Sequence, residues 1–260
     1  MMSEIIRINP WQELRRFTSA RIALGCAGDS LPTAELLRLG LAHARARDAV
    51  HLPLDAAALE ESLQVMMWPT LRVHSRAPDR ATYLLRPDLG QRLTDASVAL
   101  LSEQVNKSFD VLFIVSDGLS PLAAQNHALP LLQAARPLLP TTWPVGPVVI
   151  AEQSRVALGD EIGELLRVKT VVVIIGERPG LSSPDSLGIY LTFAPKVGRT
   201  DAERNCISNI RPEGFTYPAA AKKLVWLLKE ARRLQLSGVR LKDSSEGSVA
   251  KKKDKAELCR

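Results

Sequence analysis

The chain has 260 residues, of which 46% are hydrophobic and 24% are charged, so it can bury a substantial core without disulfide bridges. This composition excludes an intrinsically disordered chain, a collagen-like chain and a wholly helical repeat. The formal net charge is +6, which by itself would favour a nucleic-acid-binding protein.

Half of this positive excess belongs to the end of the chain. Seven basic and four acidic residues lie between Arg240 and Arg260, in a segment rich in Ser, Gly and Lys without apolar periodicity. We therefore predict a disordered basic tail over residues 240–260. The rest of the chain carries an ordinary surface charge and no nucleic-acid-binding motif, so we expect no nucleic-acid partner. A basic adaptor whose tail binds nucleic acid is retained only as an alternative.

The cysteines and histidines predict neither disulfides nor a metal site. Cys26, Cys206 and Cys259 are far apart and form no Cys-x-x-Cys pair, and the histidines show no metal-ligand spacing. No apolar run is long enough to cross a membrane, and the first residues do not form the apolar part of a signal peptide. We expect a cytoplasmic protein with no membrane partner.

Residues 1–107 are predicted to form a mostly helical region. Leu14, Phe17, Arg21 and Leu24 recur at helical spacings, and residues 33–48 predict a second helix. Short strands are predicted at 71–74 and 82–85, followed by a turn at 86–90 and a helix through 93–105. The arginines of this region fit either solvated helix faces or a docking surface for a partner. They are Arg15, Arg16, Arg21, Arg38, Arg45 and Arg47.

Residues 108–239 alternate short β-branched runs with helices, which is typical of a parallel sheet with crossover helices. Strands are predicted at 111–115, 148–151, 170–175 and 189–193, with a closing amphipathic helix at 219–236. The strand at 170–175 is the clearest, because five of its six residues are Val or Ile. The predicted fold class is α/β, a Rossmann-like parallel sheet preceded by the helical region.

Two of these strands end in polar turns, Ser116-Asp117-Gly118 and Gly176-Glu177-Arg178-Pro179-Gly180. Ligands of open parallel sheets bind beyond the carboxyl ends of the strands, and glycine lets a ligand approach the backbone. The alternative is an ordinary turn whose acidic residue caps the next helix. Neither turn matches a dinucleotide-binding or phosphate-binding loop. Cys206 lies in an apolar-polar context that could line a site, although a buried structural thiol is the commoner case.

Several segments occur together in a characteristic order. They are Asn9-Pro10, Leu14-Arg15-Arg16, Thr18-Ser19-Ala20-Arg21, Arg86-Pro87-Asp88-Leu89-Gly90, Ser116-Asp117-Gly118-Leu119-Ser120, Gly176-Glu177-Arg178-Pro179-Gly180-Leu181 and Cys206-Ile207-Ser208-Asn209-Ile210. Over about residues 9–238, this set resembles the small (light) subunit of ethanolamine ammonia-lyase, an adenosylcobalamin-dependent enzyme.

The resemblance implies a lyase that converts ethanolamine to acetaldehyde and ammonia by a radical mechanism and is active only as a hetero-oligomer of large–small pairs. The large subunit would bind the substrate, and this chain would complete the pocket of adenosylcobalamin. Carried over position by position, the cobalamin contacts of the family fall at Val156, Glu177 and Cys206. The resemblance assigns no catalytic residue and no metal ligand to this chain.

The resemblance also bears on location. Packaging into a bacterial microcompartment is a further expectation besides the cytoplasm. Only eight residues precede Asn9-Pro10, however, whereas some relatives have a longer leader, so this expectation is the weaker one.

A hypothesis from a different class is a self-contained α/β enzyme that uses Asp117 and Glu177 as acid and base. The sequence argues against it, because these acids are not accompanied by a nucleophile with its base, a metal cluster or a phosphate loop.

Overall fold

The computed structural model describes residues 6–104 and 108–245. The first part of the chain contains the strands β1 (Ile6–Arg7) and β2 (Cys26–Ala27), the 3-10 helix Pro10–Phe17, the helices α1 (Thr33–His51) and α2 (Ala56–Val65), the strand β3 (Thr70–His74) and the helices α3 (Arg80–Leu85) and α4 (Asp95–Ser102). The rest contains β4 (Val111–Ser116), α5 (Pro121–Ala135), β5 (Val148–Glu152), α6 (Leu158–Leu165), β6 (Thr170–Gly176), β7 (Leu187–Phe193), β8 (Arg204–Ile210) and α7 (Tyr217–Leu234).

The centre of the molecule is a six-stranded sheet with the order β3-β5-β4-β6-β7-β8. The strands β3, β5, β4 and β6 are parallel, and β7 and β8 are antiparallel to their neighbours. Every residue of β4 and β6 is buried, because helices cover both faces of the sheet. The predicted α/β class with crossover helices is confirmed.

The two faces of the sheet form two apolar layers. One layer contains side chains of α2, α5 and α7, and the other contains side chains of α4 and α6. The chain leaves β4 through α5 on the first face and leaves the adjacent β5 through α6 on the second. Neighbouring strands whose connections diverge in this way open a crevice at their carboxyl ends.

Two local predictions for the first part of the chain are wrong. The helix predicted through Leu14 and Leu24 is a 3-10 helix that ends at Phe17, and none of its residues is buried, so no apolar contact extends it. The strand predicted at 82–85 belongs to α3. Asp79 caps that helix by accepting a hydrogen bond from the backbone N–H of Thr82 at 2.8 Å, which outweighs the β propensity of Thr and Tyr.

The strand predicted at 189–193 is present as β7, but it runs antiparallel to β6. The connecting residues 177–186 contain no helix, and a parallel pairing would need a crossover of that kind. β8, which carries Cys206, pairs with β7 and was not predicted as a strand. Polar residues dominate it, so it lacks the apolar run by which the other strands were identified.

The sheet includes residues from both sides of the boundary predicted at 107/108. β3 lies ahead of that boundary and pairs with β5 along its whole length. The start of the predicted tail is packed, because Leu241 is buried and its carbonyl accepts a hydrogen bond from Asn205 Nδ2 at 2.9 Å. Residues 246–260 lie outside the described residues. None of the helices between residues 6 and 245 that the structure describes has the length and apolar character of a membrane span.

Candidate functional site

A cleft of about 450 Å³ opens at the carboxyl edge of the parallel strands. The segments that follow β4, β5 and β6 form its walls together with side chains of α3 and β7. The lining residues are Tyr83, Leu119, Arg155, Val156, Ile175, Gly176, Glu177, Arg178 and Tyr190. Apolar groups therefore surround two guanidinium groups and one carboxylate, the combination that small-molecule sites use for burial and orientation.

Glu177 lies directly after β6, as predicted, and its carboxylate is held in place by β7 and β8. Its Oε2 accepts a hydrogen bond from the backbone N–H of Asn209 at 3.2 Å. An added Cβ on Gly188 would lie 3.0 Å from Oε1, so the side chain packs closely on β7. The remaining lone pairs of a half-buried carboxylate can accept hydrogen bonds from a ligand in the cleft.

Val156 lies in the segment that connects β5 to α6 and lines the same cleft. It is partly buried and packs against the apolar layer formed with α4 and α6. The structure thus brings two of the three residues implied by the resemblance, Val156 and Glu177, into one site. They come from different strand ends, 21 positions apart in the chain.

Cys206 lies beside this cleft and does not line it. It is exposed on β8 and pairs with Tyr190 of β7, which is a lining residue. Burial raises the pKa of Tyr190 to about 12, and the neighbouring Cys206 and Glu177 act in the same direction. Cys206 is therefore not a buried structural thiol, which was the alternative to a residue that lines a site. The side chain of Tyr190 connects it to the cleft.

Asp117, the other acidic residue at a strand end, is buried, and its hydrogen bonds serve the fold. Its carboxylate accepts hydrogen bonds from the backbone N–H groups of Gly118, Gln153 and Ser154 at 2.8–2.9 Å. Arg80 Nη1 lies 3.6 Å away. Ser120, not Asp117, caps α5 by accepting from Ala123 N–H. This geometry does not favour Asp117 as an acid or base for a substrate; it joins the end of β4 to the segment that carries Val156.

The pKa of Asp117 leads to a pH prediction. Burial raises it from 3.8 to about 6, against the three N–H donors and Arg80, which act in the opposite direction. The protonated carboxyl group is therefore favoured in the folded state, so its protonation at low pH stabilises the fold. This stabilisation is lost as the pH rises from 3.8 to about 6. Relative to the non-titrating variant Asp117→Asn, the wild type should lose about 3 kcal/mol of unfolding free energy across this window.

Urea denaturation of both proteins at several pH values between about 4 and about 7 measures this difference. Because the other titratable groups are common to both proteins, their effects largely cancel in the comparison. A difference that stays constant across the window would contradict the prediction.

The sequence alone did not indicate three lining residues: Tyr83, Arg155 and Tyr190. The local pattern predicts a strand at Tyr83, yet this residue is fully buried in α3 and its hydroxyl donates to the carbonyl of Ser154 at 3.1 Å. Arg155 directly precedes Val156, and its guanidinium stacks on the Tyr83 ring at 4.2 Å. Only the proximity of Arg155 to Val156 in the chain could have drawn attention to it.

Comparisons with known proteins show what the whole chain is similar to. The family model described as "Ethanolamine ammonia-lyase light chain (EutC)" matches residues 8–242. A protein of Azotobacter vinelandii described as ethanolamine ammonia-lyase small subunit is 56% identical over 242 residues, which cover 92% of this chain and 90% of the relative.

Proteins of other bacteria that have the same description are similar to this chain to a comparable degree. The one from Pseudomonas aeruginosa is 56% identical, with 92% of this chain and 89% of the relative covered. The one from Ralstonia nicotianae is 54% identical, with 92% and 90% covered. The resemblance carried by the ordered motifs is confirmed: the chain belongs to the family of ethanolamine ammonia-lyase light chains.

Proposed function

We propose that this chain completes the adenosylcobalamin pocket of an ethanolamine ammonia-lyase whose large subunit binds the substrate. The observation that carries the proposal is the cleft at the strand ends, which unites Val156 and Glu177. When bound, adenosylcobalamin supplies the radical chemistry by which ethanolamine is converted to acetaldehyde and ammonia. The role of this chain is to bind and orient the cofactor.

The side chains of the cleft fit a corrinoid. A corrin combines an apolar ring system with amide substituents that donate and accept hydrogen bonds. Leu119, Val156 and Ile175 supply apolar contact, Glu177 supplies an acceptor, and Arg155 and Arg178 supply donors. A cleft of about 450 Å³ is only large enough to enclose a drug-sized ligand, and cobalamin is much larger. This size supports a pocket shared with a second subunit.

Reconstitution tests the proposal. We expect acetaldehyde release from ethanolamine when this chain, the large subunit and adenosylcobalamin are combined, and none when the chain is omitted. A large subunit that is fully active without this chain would refute the proposal. Activity of the isolated chain would instead favour the self-contained enzyme considered above.

Glu177→Ala should weaken cobalamin binding by the complex by about tenfold, because a charge-assisted hydrogen bond is removed. Equilibrium dialysis with cyanocobalamin measures the affinity, and gel filtration shows whether the subunits still assemble, which we expect. The matched control is Glu61→Ala, because Glu61 is exposed on α2 outside the cleft. Equal affinities of Glu177→Ala and the wild type would remove Glu177 from the site.

The surface that binds the large subunit is proposed to lie in the first part of the chain. Six large apolar side chains between Ile6 and Leu52 are more than half exposed: Ile8, Trp11, Phe17, Leu36, Leu37 and Leu41. We call them the N-terminal surface. Concentrations of exposed apolar groups of this kind mark protein interfaces.

Glu35 joins the two elements that form the N-terminal surface. It is one of only three buried residues in α1 and lies between Arg15 of the 3-10 helix and Arg38 of α1. Arg15 therefore connects the 3-10 helix to α1 through its ion pair with Glu35. Arg16 contacts one of the apolar groups directly, because its guanidinium carbon lies 4.7 Å from the centre of the Phe17 ring.

Leu37→Asp should weaken the association of the two subunits by about tenfold or more, because it places a charge in an apolar interface. Co-purification and titration of the tagged large subunit measure this. Val65→Asp is the matched control, since Val65 is even more exposed at the end of α2 and lies outside the N-terminal surface. Equal association of both variants would show that the subunits meet elsewhere.

A cytoplasmic location, packaging into a microcompartment and the division of the chain at residue 107/108 remain predictions from the sequence. The hetero-oligomer of large–small pairs is part of this proposal.

A further inference from the structure

One guanidinium group in the wall of the cleft has donors that no described residue accepts from. Arg155 is half-buried, and its Nη2 donates to the carbonyl of Tyr83 at 3.1 Å. Among the residues that the structure describes, Nη1 has no acceptor, and the buried Nε has none either. An arginine with a fixed side chain and unused donors is suited to bind an oxygen atom of a ligand.

Arg155 is held in place from three directions. Its backbone N–H donates to the carbonyl of Gly90 at 2.9 Å. Its guanidinium carbon lies 4.2 Å from the centre of the Tyr83 ring, and the Tyr83 hydroxyl holds the preceding residue, Ser154. Asp117 accepts hydrogen bonds from the backbone of the same segment. The side chain is therefore oriented before any ligand arrives, which reduces the loss of conformational freedom on binding.

The turn Arg86-Pro87-Asp88-Leu89-Gly90 has a role in this arrangement. A Cβ added to Gly90 would lie 2.9 Å from Cγ of Arg155 and 3.0 Å from the ring of Tyr83. Only glycine allows the turn to approach so closely while its carbonyl accepts from Arg155. The motif, to which the sequence assigned no function, thus positions Arg155.

No residue that the structure describes neutralises the charge of Arg155. A second guanidinium, that of Arg80, lies on the same aromatic ring at 4.8 Å, and it is Arg80 that approaches Asp117 at 3.6 Å. In the described ranges 6–104 and 108–245, no carboxylate lies within ion-pair distance of Arg155. A ligand oxygen with a partial or full negative charge is therefore the preferred partner of this group.

On the basis of the proposed function, we propose that Arg155 is a further cofactor-binding residue, which donates hydrogen bonds to an oxygen acceptor of cobalamin. Two parts of cobalamin present such an acceptor: the amide carbonyls at the rim of the corrin and the phosphodiester of the nucleotide loop. Both bind the same donor in the same way, so the experiment has to separate them.

The test uses the complex with the large subunit. Arg155→Met keeps the length of the side chain and its packing on Tyr83 but removes every donor. We expect its affinity for cyanocobalamin to fall by about tenfold or more, with unchanged subunit assembly. The control, Arg167→Met, changes an exposed arginine outside the cleft and should bind as the wild type does. Equilibrium dialysis gives the affinities without any measurement of turnover.

A parallel titration with cobinamide, which lacks the nucleotide loop, identifies the acceptor. A loss of affinity for both compounds supports an acceptor on the corrin rim, and a loss for cyanocobalamin alone supports the phosphodiester. If Arg155→Met fails to assemble, Arg155→Lys can replace it, because lysine retains the charge. The affinity of this variant for cyanocobalamin should be lower than that of the wild type by about threefold or more, because lysine lacks the planar fork of donors.

Binding of cyanocobalamin by an assembled Arg155 variant within about twofold of the wild type would overturn the inference. That outcome differs from a failure of the proposed function, in which the wild-type complex itself would not bind cyanocobalamin.

Discussion

Replacing Gly176 with alanine should lower the free energy of unfolding by about 3 kcal/mol, at the upper end of the effects of overpacking. A Cβ at this position would lie 2.0 Å from the carbonyl oxygen of Ser120 and 2.8 Å from that of Asp117. Both are backbone atoms, so no change of rotamer can relieve the contact. The turn after β4 would have to move away from the end of β6, with loss of the hydrogen bond from Leu119 N–H to the Gly176 carbonyl at 3.0 Å.

Urea denaturation followed by circular dichroism measures this effect. Gly40→Ala is the matched control, because its added Cβ would meet nothing within 4 Å. Gly40 lies in α1, where alanine is the better helix former by up to about 1 kcal/mol, so the control should be as stable as the wild type or more stable. A Gly176→Ala protein with wild-type stability would show that the two strand ends can separate freely.

Removing either partner of the ion pair between Asp160 and Arg204 should destabilise the fold by about 3–5 kcal/mol. The two nitrogens Nη1 and Nη2 donate to the two carboxylate oxygens at 2.7 and 2.6 Å, and both side chains are only 2% exposed. Thr192 Oγ1 and the carbonyl of Arg199 accept further hydrogen bonds from the same guanidinium. Arg204→Met would leave the buried carboxylate of Asp160 unpaired, and Asp160→Leu would leave the buried guanidinium of Arg204 with only the exposed Asp201, 3.4 Å from its Nε.

The variants Asp160→Leu and Arg204→Met and their double variant form a thermodynamic cycle. The double variant should recover much of the lost stability, because it leaves no unpaired charge in the interior. Equal stability of the wild type and both single variants would contradict the prediction. The pair connects α6 to β8, and these elements directly follow Val156 and carry Cys206, respectively. A loss of stability here is therefore expected to disturb the segment that carries Val156 and the strand whose Asn209 N–H donates to Glu177.

Local periodicity was sufficient for most of the sheet. The runs that became β4, β5 and β6 are apolar, and their burial on both faces leaves little choice of conformation. The closing helix was predicted at 219–236 and is observed as Tyr217–Leu234. Periodicity was misleading for Leu14 to Leu24 and for residues 82–85, because a short pattern does not reveal whether a surface exists for the element to pack on.

The site was only partly predictable. Glu177 could be selected from its position after an apolar strand, whereas Val156 and Cys206 were identified only through the resemblance to the family. Tyr83 and Arg155 carried no signal, because their role depends on α3 packing against the segment after β5, more than 70 positions away in the chain. Cys206 lies next to Tyr190 because β7 pairs antiparallel with β8.

The sequence by itself determined the α/β class, the order of most elements, the family and the acidic residue at the end of β6. Each of these depends on local periodicity or on an ordered set of short motifs, both of which are properties of contiguous segments. Only the tertiary structure decided the direction of β7 and β8, the structural role of Asp117 and the meeting of Tyr83, Arg155, Val156 and Glu177 in one cleft. These features depend on the lateral order of the strands. That order is established by contacts between distant segments, and no local pattern encodes it.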